Sequence, residues 1–572
     1  TYSMNATLLD VAARQLQTGT LTGTYTIAAS GQGFLSSPLY KGDFVFGLVS
    51  SQGVFVGSST ENITGYHDLF IAAPIASPLP NASNFRGSYS MAYLDMSGLG
   101  SGSPLYTVGA MATLNPDGAG NVGTVPLTAY VGQNGSSKTT QSLSNVKYIF
   151  SNGAAKVTFP NSNTALFTGD YYLYFSPDGN FFFGGAPGAA DMLVGVRNPS
   201  SQPTLSGVYF EAGLDEDEST LSAGYATPDS FYGSLSATGG VILGHQRLLS
   251  FFNNSAINYT YSDSITIPAN GSYSNGSTNY VVGAGNVRIA SGIGPYLSLA
   301  VALPAPSLDP SKVSSSGVYL DPRGVVNAGS SAPFTAGIAP GELLTLYGSN
   351  LSSALKITGD VPFPTTLNNT QVKINGTPAP LYYVSPGQLS AIVPYSVTNG
   401  TAQVQVINNG TASNTVTIQV AATAPGILTQ SQNGLGFGDA VHQDGSLVND
   451  KKPAQPGETV SLFLTGLGAV NPAISDGAPG PVDTLAKATN NISVTIGGKD
   501  ATVTYAGLAP QLAGLYQINV TIPTGLTAGN NNLDVAGPDA YTSECVIAVA
   551  GSGSVASPAL RRAPVRRKMD HR

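Results

Sequence analysis

The residue types that carry most enzyme chemistry are few in this sequence, and their spacing forms no catalytic or metal-binding motif. The four histidines, His67, His245, His442 and His571, stand far apart and show none of the short spacings of a metal site. No Gly-x-Ser-x-Gly segment is present to place a serine nucleophile on a sharp turn. The sequence therefore predicts no catalytic, cofactor-binding or metal-binding residue, no cofactor, and a protein that is not an enzyme.

Acidic side chains leave alternatives to that prediction open. The densest run, Asp215, Glu216, Asp217 and Glu218, offers clustered oxygen ligands for Ca²⁺, but it lacks the glycine and the distal glutamate of an EF-hand loop. We interpret this run as a solvated turn. Carboxylates that converge only in the folded chain would instead make a secreted hydrolase, because the acids of a glycosidase meet in space rather than along the sequence.

A second polar segment, DAVHQDGSLVND, runs from Asp439 to Asp450. Its mixture of Asp, His and Asn is compatible with a metal site, but the central Asp444-Gly445 pair is typical of a tight turn. We interpret the segment as a structural loop.

The single cysteine, Cys545, excludes an internal disulfide. It alternates with Ile547 and Val549, so the three side chains are predicted to share one face of a strand. A buried thiol behaves as a small hydrophobic group, and we interpret Cys545 as a core residue.

Aromatic side chains could bind carbohydrate, although the chain has no tryptophan, the best platform among the aromatic residues. Two runs rich in tyrosine and phenylalanine, 171–175 and 181–183, lie in a predicted hairpin. Such runs are more typical of a buried face than of a ligand platform, and we interpret both as core.

The chain of 572 residues is long enough for about four domains, and its charge content separates it from ordinary cytoplasmic helical proteins. Only 9% of residues are charged, and the formal net charge is −8, so nucleic acid is excluded as a partner. Basic residues concentrate in a C-terminal tail, which we interpret as solvated. No apolar stretch is long enough for a transmembrane helix. The start at Thr1 predicts removal of a signal peptide and an extracellular or cell-surface location.

Strand signals dominate the sequence. Short runs of Val, Ile, Thr, Tyr and Phe, separated by Gly, Asn-Gly and Asp-Gly turns, predict an all-β protein. The N-terminal segment 1–20 is the exception, because Leu8, Leu9, Ala12 and Leu16 recur at helical spacing. We predict a short packing helix there, with docking of the segment on a neighbouring molecule as the alternative.

Three internal repeats follow this segment. The strings LTGTY, FRGSY and LSGVY, which begin at Leu21, Phe85 and Leu205, each open a unit that closes with a hairpin and a final apolar strand. The first unit is much shorter than the others, so it is partial or completes its sheet with a neighbour. The pattern predicts a partial β unit at 21–78, small β-barrel or β-sandwich units at 85–198 and 205–304, and a Pro- and Ser-rich linker at 305–323.

A different repeat occupies the C-terminal part of the chain. The tripeptide Pro-Gly-Glu that ends at Glu342 recurs with its glutamate at Glu458, each time before an apolar strand. Further on, an Asn-Gly turn at Asn375 and a Gly-Gly turn at Gly497 separate alternating strands in matching positions. We predict two successive immunoglobulin-like β-sandwich domains at 324–422 and 423–550, followed by the basic tail at 551–572.

The segments APGELLTLYGSNL, VKINGTPAPLYYVSPGQLSAIVP, PGETVSLFLTGLG and YAGLAPQLAGLYQINVTIP carry a family resemblance. They resemble the uncharacterised C-terminal domain found at the end of many large secreted acidobacterial proteins, the Solibacter type. The resemblance covers residues 324–550, and each half is similar to the immunoglobulin-like TIG domain. It implies an extracellular, modular, non-catalytic region and supplies no functional residues.

Together these patterns predict a secreted or cell-surface structural or adhesive protein made of several β modules. Self-assembly into an extracellular fibre through β-strand or edge contacts is one form of this function, because low surface charge removes the residues that normally keep sheet edges apart. The alternative is a surface module that binds a polysaccharide or another protein. The predicted partners are accordingly the protein itself or cell-surface polymers.

Overall fold

The computed structural model describes residues 1–10, 15–38, 41–61, 67–96, 107–131, 137–216, 228–250, 255–293, 297–307 and 317–551. More than half of these residues lie in β-strands. The helical elements of the described ranges are single 3-10 turns at Ala82–Asn84, Ala284–Asn286 and Phe334–Ala336. The predicted all-β class is confirmed, with one closed eight-stranded barrel and several further sheets in the described residues.

The N-terminal segment forms a β-hairpin, so the helix predicted within 1–20 is wrong. Its strands are β1 (Tyr2–Asp10) and β2 (Gln15–Gly23), which pair antiparallel along their full length. A helix this short is marginal in water even with a good apolar pattern. The second half of the segment is also rich in Thr and Gly, which are poor helix formers, and backbone pairing prevails.

The first repeat is an open antiparallel sheet in which each strand pairs with the next along the chain. In the described residues, its first and last strands form no ladder with each other. The sheet therefore keeps two outer edges. Its strands are β3 (Tyr25–Ile27), β4 (Gln32–Ser36), β5 (Phe44–Val49), β6 (Phe55–Ser58) and β7 (Phe70–Ala72).

The second repeat closes into an eight-stranded barrel, because its last strand returns to pair with its first, with Arg197 opposite Tyr89. Buried aromatic side chains such as Phe167 fill the interior. Asn152 and Gly153 both have positive φ, as a tight two-residue hairpin turn requires. The strands are β8 (Tyr89–Asp95), β9 (Val108–Leu114), β10 (Asn121–Val131), β11 (Ser137–Ser151), β12 (Ala154–Phe159), β13 (Gly169–Phe175), β14 (Phe181–Gly185) and β15 (Asp191–Arg197).

The described residues of the third repeat also form eight strands: β16 (Gly207–Glu216), β17 (Pro228–Thr238), β18 (Val241–Leu249), β19 (Ile257–Ser264), β20 (Ser272–Ser274), β21 (Thr278–Val282), β22 (Arg288–Gly292) and β23 (Ser298–Pro304). Its first and last strands pair, with Tyr209 opposite Pro304. Among the described residues, however, no register joins β19 to β20. The outer edge of β19 instead pairs in parallel with the last strand of the chain, with Asn258 opposite Ala540.

The first immunoglobulin-like domain consists of two facing sheets around one apolar core. Asn375 and Gly376 adopt positive φ in the predicted hairpin turn. The predicted linker 305–323 extends too far, because its last residues belong to a strand that begins at Tyr319. The strands are β24 (Tyr319–Asn327), β25 (Leu343–Ser349), β26 (Lys356–Ile357), β27 (Thr370–Ile374), β28 (Thr377–Ala379), β29 (Leu381–Val384), β30 (Gln388–Ile392), β31 (Gly400–Asn408), β32 (Thr411–Ala412) and β33 (Val416–Val420).

The last domain repeats this arrangement, with its own core and with Gly497 and Gly498 in the corresponding turn. Its final strand pairs with β19, so the third repeat and the last domain belong to one hydrogen-bonded network. The strands are β34 (Gly426–Ile427), β35 (Gly436–Phe437), β36 (Ala440–Val441), β37 (Thr459–Thr465), β38 (Val470–Asn471), β39 (Lys487–Ala488), β40 (Ser493–Ile496), β41 (Lys499–Leu508), β42 (Tyr516–Thr521), β43 (Gly529–Ala536) and β44 (Ala540–Val549).

The three repeats pack against one another through a shared apolar core. Buried side chains from all three contribute to it, including Leu48, Val56, Ala92, Phe181, Phe210 and Leu299. The outward-facing strand residues that contribute to this shared core are therefore as buried as the residues inside the closed barrel. Within the described residues, no helix has the length and apolar composition needed to span a lipid bilayer.

Candidate functional site

The histidines considered from the sequence lie in separate parts of the molecule. His67 precedes β7, His245 lies in β18, and His442 follows β36. In the described part of the chain, no three His, Cys, Asp or Glu side chains form a group that could hold a metal ion. His571 lies, with the basic tail beyond Gly551, outside the described residues.

His245 joins the third repeat to the first immunoglobulin-like domain. Its Nδ1 lies 2.8 Å from Thr335 Oγ1, and its Nε2 lies 3.1 Å from Asn258 Oδ1. The same Thr335 hydroxyl lies 2.7 Å from Ser234 Oγ. Burial lowers the pKa of His245 to about 3, so the ring is neutral near pH 7. A neutral imidazole with both nitrogens hydrogen-bonded in an interface has a structural role.

The polar segment 439–450 is a hydrogen-bonded loop. Asp444 accepts hydrogen bonds from the backbone N–H of Ser446 at 3.0 Å and from Lys452 Nζ at 2.6 Å, and these bonds hold its pKa below the ordinary value. His442 Nδ1 lies 2.6 Å from Glu458 Oε1. Glu458 belongs to the repeated Pro-Gly-Glu tripeptide, and this contact fixes the loop to the start of β37.

The acidic run lies at the end of β16. Asp215 and Glu216 are the last two residues of that strand. Asp217 and Glu218 lie outside the described residues.

The core interpretation of Cys545 is confirmed, because its side chain is 1% exposed within the apolar core of the last domain. The aromatic runs are also largely buried. Tyr171 and Phe175 face the interior of the closed barrel, and Phe182 is completely buried between them and the adjacent strands. Tyr174 is the exception, since it points outward from the barrel and is half exposed.

A charged pair occupies the third repeat at positions where the closed barrel has apolar side chains. In the second repeat, Phe182 and Met91 lie on either side of one residue of β15. In the third, Arg288 and Glu211 lie in the same way on either side of one residue of β23. An ion pair thus stands where two apolar side chains pack in the closed barrel.

Glu211 is the centre of a hydrogen-bond network inside the third repeat. Its Oε1 accepts from Gln246 Nε2 at 3.2 Å and from the Tyr261 hydroxyl at 3.1 Å, and its Oε2 accepts from Arg288 Nη2 at 3.1 Å. Burial raises the pKa of Glu211, and Arg288 opposes that increase. The Arg288 guanidinium also lies 5.2 Å from the centre of the Tyr280 ring. The network satisfies the carboxylate from three sides.

Three partly exposed tyrosines stack where β19 meets β44. The rings of Tyr259 and Tyr261 are nearly parallel, with centroids 5.5 Å apart, and the ring of Tyr541 lies 5.7 Å from that of Tyr259. Tyr259 and Tyr541 are opposite each other in the parallel ladder. The stack therefore depends on the pairing between the third repeat and the last domain.

A group of exposed apolar side chains lies at the β3–β4 end of the first repeat, which we call the open end (Tyr25, Ile27, Phe34 and Phe44). These side chains are 52%, 50%, 39% and 40% exposed. Register places Tyr25 and Ile27 on one face of the sheet and Phe34 and Phe44 on the other. Both faces are thus uncovered at this end.

Exposure falls across the sheet away from the open end. Val45 and Phe55 share the face of Tyr25 but are 1% and 8% exposed. On the opposite face, Leu48 and Val56 are fully buried in the core shared by the three repeats. The first repeat is therefore anchored along β5 and β6 and uncovered along β3 and β4.

The N-terminal hairpin leads directly into the open end, because β2 ends at Gly23 and β3 begins at Tyr25. The Tyr2 hydroxyl donates to the backbone oxygen of Ser36 at 2.6 Å, which fixes the base of the hairpin to β4. Within the described residues, β1 and β2 form a ladder with each other and with no third strand. The open end and the hairpin together form the candidate functional site.

The sequence identified the first repeat as incomplete but did not identify these surface residues. The signal was present in the repeat alignment, since Tyr25 corresponds to the buried Tyr89 and Tyr209 in the strings that open each unit. In the open sheet of the first repeat, Tyr25 is 52% exposed. The Glu211–Arg288 pair was also missed, although the same alignment matches Glu211 to Met91.

Comparison with known families places an IPT/TIG domain at residues 330–420. This match confirms the TIG resemblance for the first immunoglobulin-like domain. The similarity of the second domain to TIG and the resemblance to the Solibacter type stay predictions. No curated protein matches the chain.

Several solved structures match the chain at low similarity. SGBP-B of the Bacteroides ovatus mixed-linkage glucan utilization locus, in complex with a mixed-linkage heptasaccharide, is 13% identical with a TM-score of 0.20, covering 60% of each chain. The gamma-CGTase of alkalophilic Bacillus clarkii is 10% identical with a TM-score of 0.14, covering 55% of this chain and 36% of that one. The plexin A4 extracellular region is 7% identical with a TM-score of 0.13, covering 91% and 78%. The chain thus spans less than two thirds of the first two structures, and similarity at this level assigns no function.

Proposed function

We propose that this chain is a secreted or cell-surface structural or adhesive protein that associates with copies of itself through the open end of its first repeat. The observation that carries the proposal is the five-stranded sheet that stops short of closure while exposing apolar side chains on both faces. Tyr89, the residue of the closed barrel that corresponds to Tyr25, is completely buried. Association would bury the open end in the same way.

The chemistry of the open end favours protein association. Phe34 contacts Phe44 and Phe46 with ring centroids 5.7 and 5.6 Å apart, which gives a continuous aromatic surface. Contiguous exposed apolar patches on folded proteins usually mark interaction sites. The outer edge of β3 adds unpaired backbone donors and acceptors that a second strand can satisfy.

The rest of the molecule supports a structural role. The repeats share one core, the third repeat shares a ladder with the last domain, and buried polar contacts such as His245 with Thr335 fix the domains together. Extension of the association into a fibre is the finer form of the proposal, and the Solibacter-type resemblance supports an extracellular location.

The stacked tyrosines support a second candidate, a module that binds a surface polysaccharide. Tyr259, Tyr261 and Tyr541 present partly exposed rings at a domain junction, and aromatic rings are common platforms for sugar rings. A glycan array tests this candidate. Binding that disappears in Tyr541→Ala supports it, and an array without signal from the wild-type chain contradicts it.

The test of self-association is the mass of the purified chain at increasing concentration, measured by analytical ultracentrifugation and electron microscopy. We expect species larger than one copy, and a double Phe34→Ser, Phe44→Ser variant should associate at least tenfold more weakly. Each phenylalanine contributes about 1.5 to 3 kcal/mol when fully buried, and about 1.4 kcal/mol is a factor of ten.

The matched control replaces two apolar side chains elsewhere that are more exposed than Phe34 and Phe44. Ile149 and Leu355 are 60% and 64% exposed, and the Ile149→Ser, Leu355→Ser variant should associate like the wild type. A chain that remains a single copy at every concentration contradicts the proposal. Equal weakening in both double variants would instead indicate nonspecific hydrophobic association.

A further inference from the structure

We infer that the N-terminal hairpin of one copy adds to the outer edge of β3 in a second copy. This inference rests on the proposed function, because it names the occupant of the open end. The partner is a second copy of this chain, and the contact is a ladder of backbone hydrogen bonds extended by apolar side chains. The mode is β-strand addition, in which main-chain bonds supply affinity and side chains supply specificity.

The hairpin has the character of a donor. Its two nine-residue strands, Tyr2–Asp10 and Gln15–Gly23, pair with each other, and its base is held by the bond from Tyr2 to Ser36. An isolated two-stranded hairpin is marginally stable in water, whereas three or more strands with an apolar face are stable. Pairing with another sheet is therefore the arrangement that stabilises this segment.

The outer edge of β3 has the character of an acceptor. β3 pairs with β4 on one side only within the described residues, with Tyr25 opposite Leu35 and Ile27 opposite Gly33. The backbone groups on its other side are available to a new strand. Tyr25, Thr26 and Ile27 are all exposed, so no part of the described chain covers this edge.

The exposure gradient shows where the missing cover belongs. On the face that carries Tyr25, exposure falls from 52% at Tyr25 to 1% at Val45, two strands away. In the closed barrel each of the eight strands contributes buried side chains to the corresponding face. A hairpin added beside β3 would cover the exposed side chains at this end of the sheet.

The length of the hairpin strands and the lack of charged side chains in the donor and acceptor strands both favour a second copy as the donor. A nine-residue strand spans about 30 Å, longer than the exposed run at β3, so the hairpin can cover the whole edge. The acceptor strand Tyr25–Ile27 carries no charged side chain, and neither does the donor strand Gln15–Gly23. The gatekeeper charges that block edge pairing in most sheets are absent from both described strands.

Disulfide trapping between differently labelled copies tests the inference. The native Cys545 is buried and does not interfere, so single cysteines can be placed at Thr18 of the donor strand in one isotope-labelled preparation and at Thr26 in an unlabelled one. We expect a mixed disulfide between the hairpin variant and Thr26→Cys after mild oxidation, at least tenfold above the background set by Leu355→Cys. Because the two cysteines are on different chains, no intramolecular link can produce this species. A disulfide also requires Cα atoms within about 7 Å, so the link reports direct pairing.

The outcomes separate the inference from the proposed function. A mixed disulfide above background supports both. Association by ultracentrifugation with only Thr26→Cys homodisulfides means that two β3 edges pair directly, which overturns the hairpin inference and leaves the proposed function standing. Association without any disulfide above background also overturns the inference. A chain that stays a single copy overturns both.

Discussion

Arg288 Nη2 donates to Glu211 Oε2 at 3.1 Å, and both side chains are almost completely buried in the third repeat. Phe182 and Met91 occupy the equivalent positions of the closed barrel. One architecture thus accommodates an apolar contact in one repeat and an ion pair in another. The pair carries its own hydrogen-bond partners, Gln246 and others, which a buried charge requires.

Removing one member of this pair should destabilise the protein strongly. Arg288→Met leaves the Glu211 carboxylate buried without its counter-ion, at an expected cost of about 3 to 5 kcal/mol. The double change Glu211→Met, Arg288→Phe reproduces the apolar pair of the second repeat and should recover most of that loss. Urea unfolding followed by tyrosine fluorescence measures both, since the chain has no tryptophan.

The matched control for this prediction is an ion pair at the surface. Lys156 Nζ lies 3.1 Å from Asp170, but the two side chains are 32% and 40% exposed. Lys156→Met should cost less than about 1 kcal/mol, because water screens the exposed pair. An Arg288→Met variant no less stable than Lys156→Met would contradict the burial argument.

The stability of the protein should fall between pH 6.5 and pH 4 in a way that depends on His245. The folded-state pKa of His245 is about 3, below the value near 6.5 of an unfolded histidine, so the unfolded state binds a proton over this range and the folded state does not. The free energy of unfolding therefore decreases with falling pH by up to about 1.4 kcal/mol per unit. His245→Gln should remove this contribution.

Comparing the wild type with His245→Gln isolates the contribution of His245 to the pH dependence of stability. Burial also lowers the pKa of His67, to about 4, and raises that of Asp191 to about 6, and both groups contribute equally in wild type and variant. The stability difference between wild type and His245→Gln should shrink as the pH falls. A constant difference across the range would show that His245 titrates normally.

Cys545 should react with thiol reagents only after unfolding. Its side chain lies in the core of the last domain, with Sγ 3.8 Å from the backbone oxygen of Gly434. Reaction requires exposure of the thiolate, so labelling of the folded protein should be at least 100-fold slower than in denaturant. Complete labelling of the native chain within minutes would mean that the last domain opens readily.

Asp539 should be a strong determinant of the junction between the two sandwich domains. Its carboxylate accepts hydrogen bonds from the backbone N–H groups of Ala422 and Thr423 at 2.6 and 3.0 Å and from Thr423 Oγ1 at 2.8 Å. Asp539→Ala leaves three donors without this acceptor and should cost about 3 kcal/mol. Hydrogen exchange at Ala422 and Thr423 should accelerate, and Asp539→Asn should show a smaller effect. Unchanged exchange at both amides would exclude the carboxylate as the link.

The all-β class followed from sequence because strand and turn signals are local. The turn residues Asn375 and Gly376 adopt the positive φ that a two-residue hairpin turn demands, as their identity indicated. The alternation of Cys545 with Ile547 predicted burial for the same reason, since side chains two apart on a strand share a face. Both predictions concern residues that are close together in the chain, and residue type and alternation indicate structure well over such short distances.

What the sequence did not reveal depends on contacts between distant segments. The helical spacing of Leu8, Leu9 and Leu16 concealed a hairpin, because nine residues of periodicity decide little when backbone pairing competes. Tyr25 is exposed because the first and last strands of the first repeat do not pair with each other in the described residues. That pairing depends on the whole repeat rather than on the residues near Tyr25. Likewise, no local pattern predicts that β19 pairs with β44.

The pairing of β19 with β44 can form only after nearly the whole chain has been synthesised. Ser262 and Glu544, which share a hydrogen bond across the junction, are 282 residues apart in the chain. At roughly 5 to 20 residues per second of synthesis, β19 waits on the order of 15 to 60 seconds before β44 exists. During that interval the edge of β19, which carries Tyr259 and Tyr261, is unpaired and can bind the wrong strand. The time needed to synthesise the two sandwich domains therefore sets how long the nascent chain is most prone to misassembly.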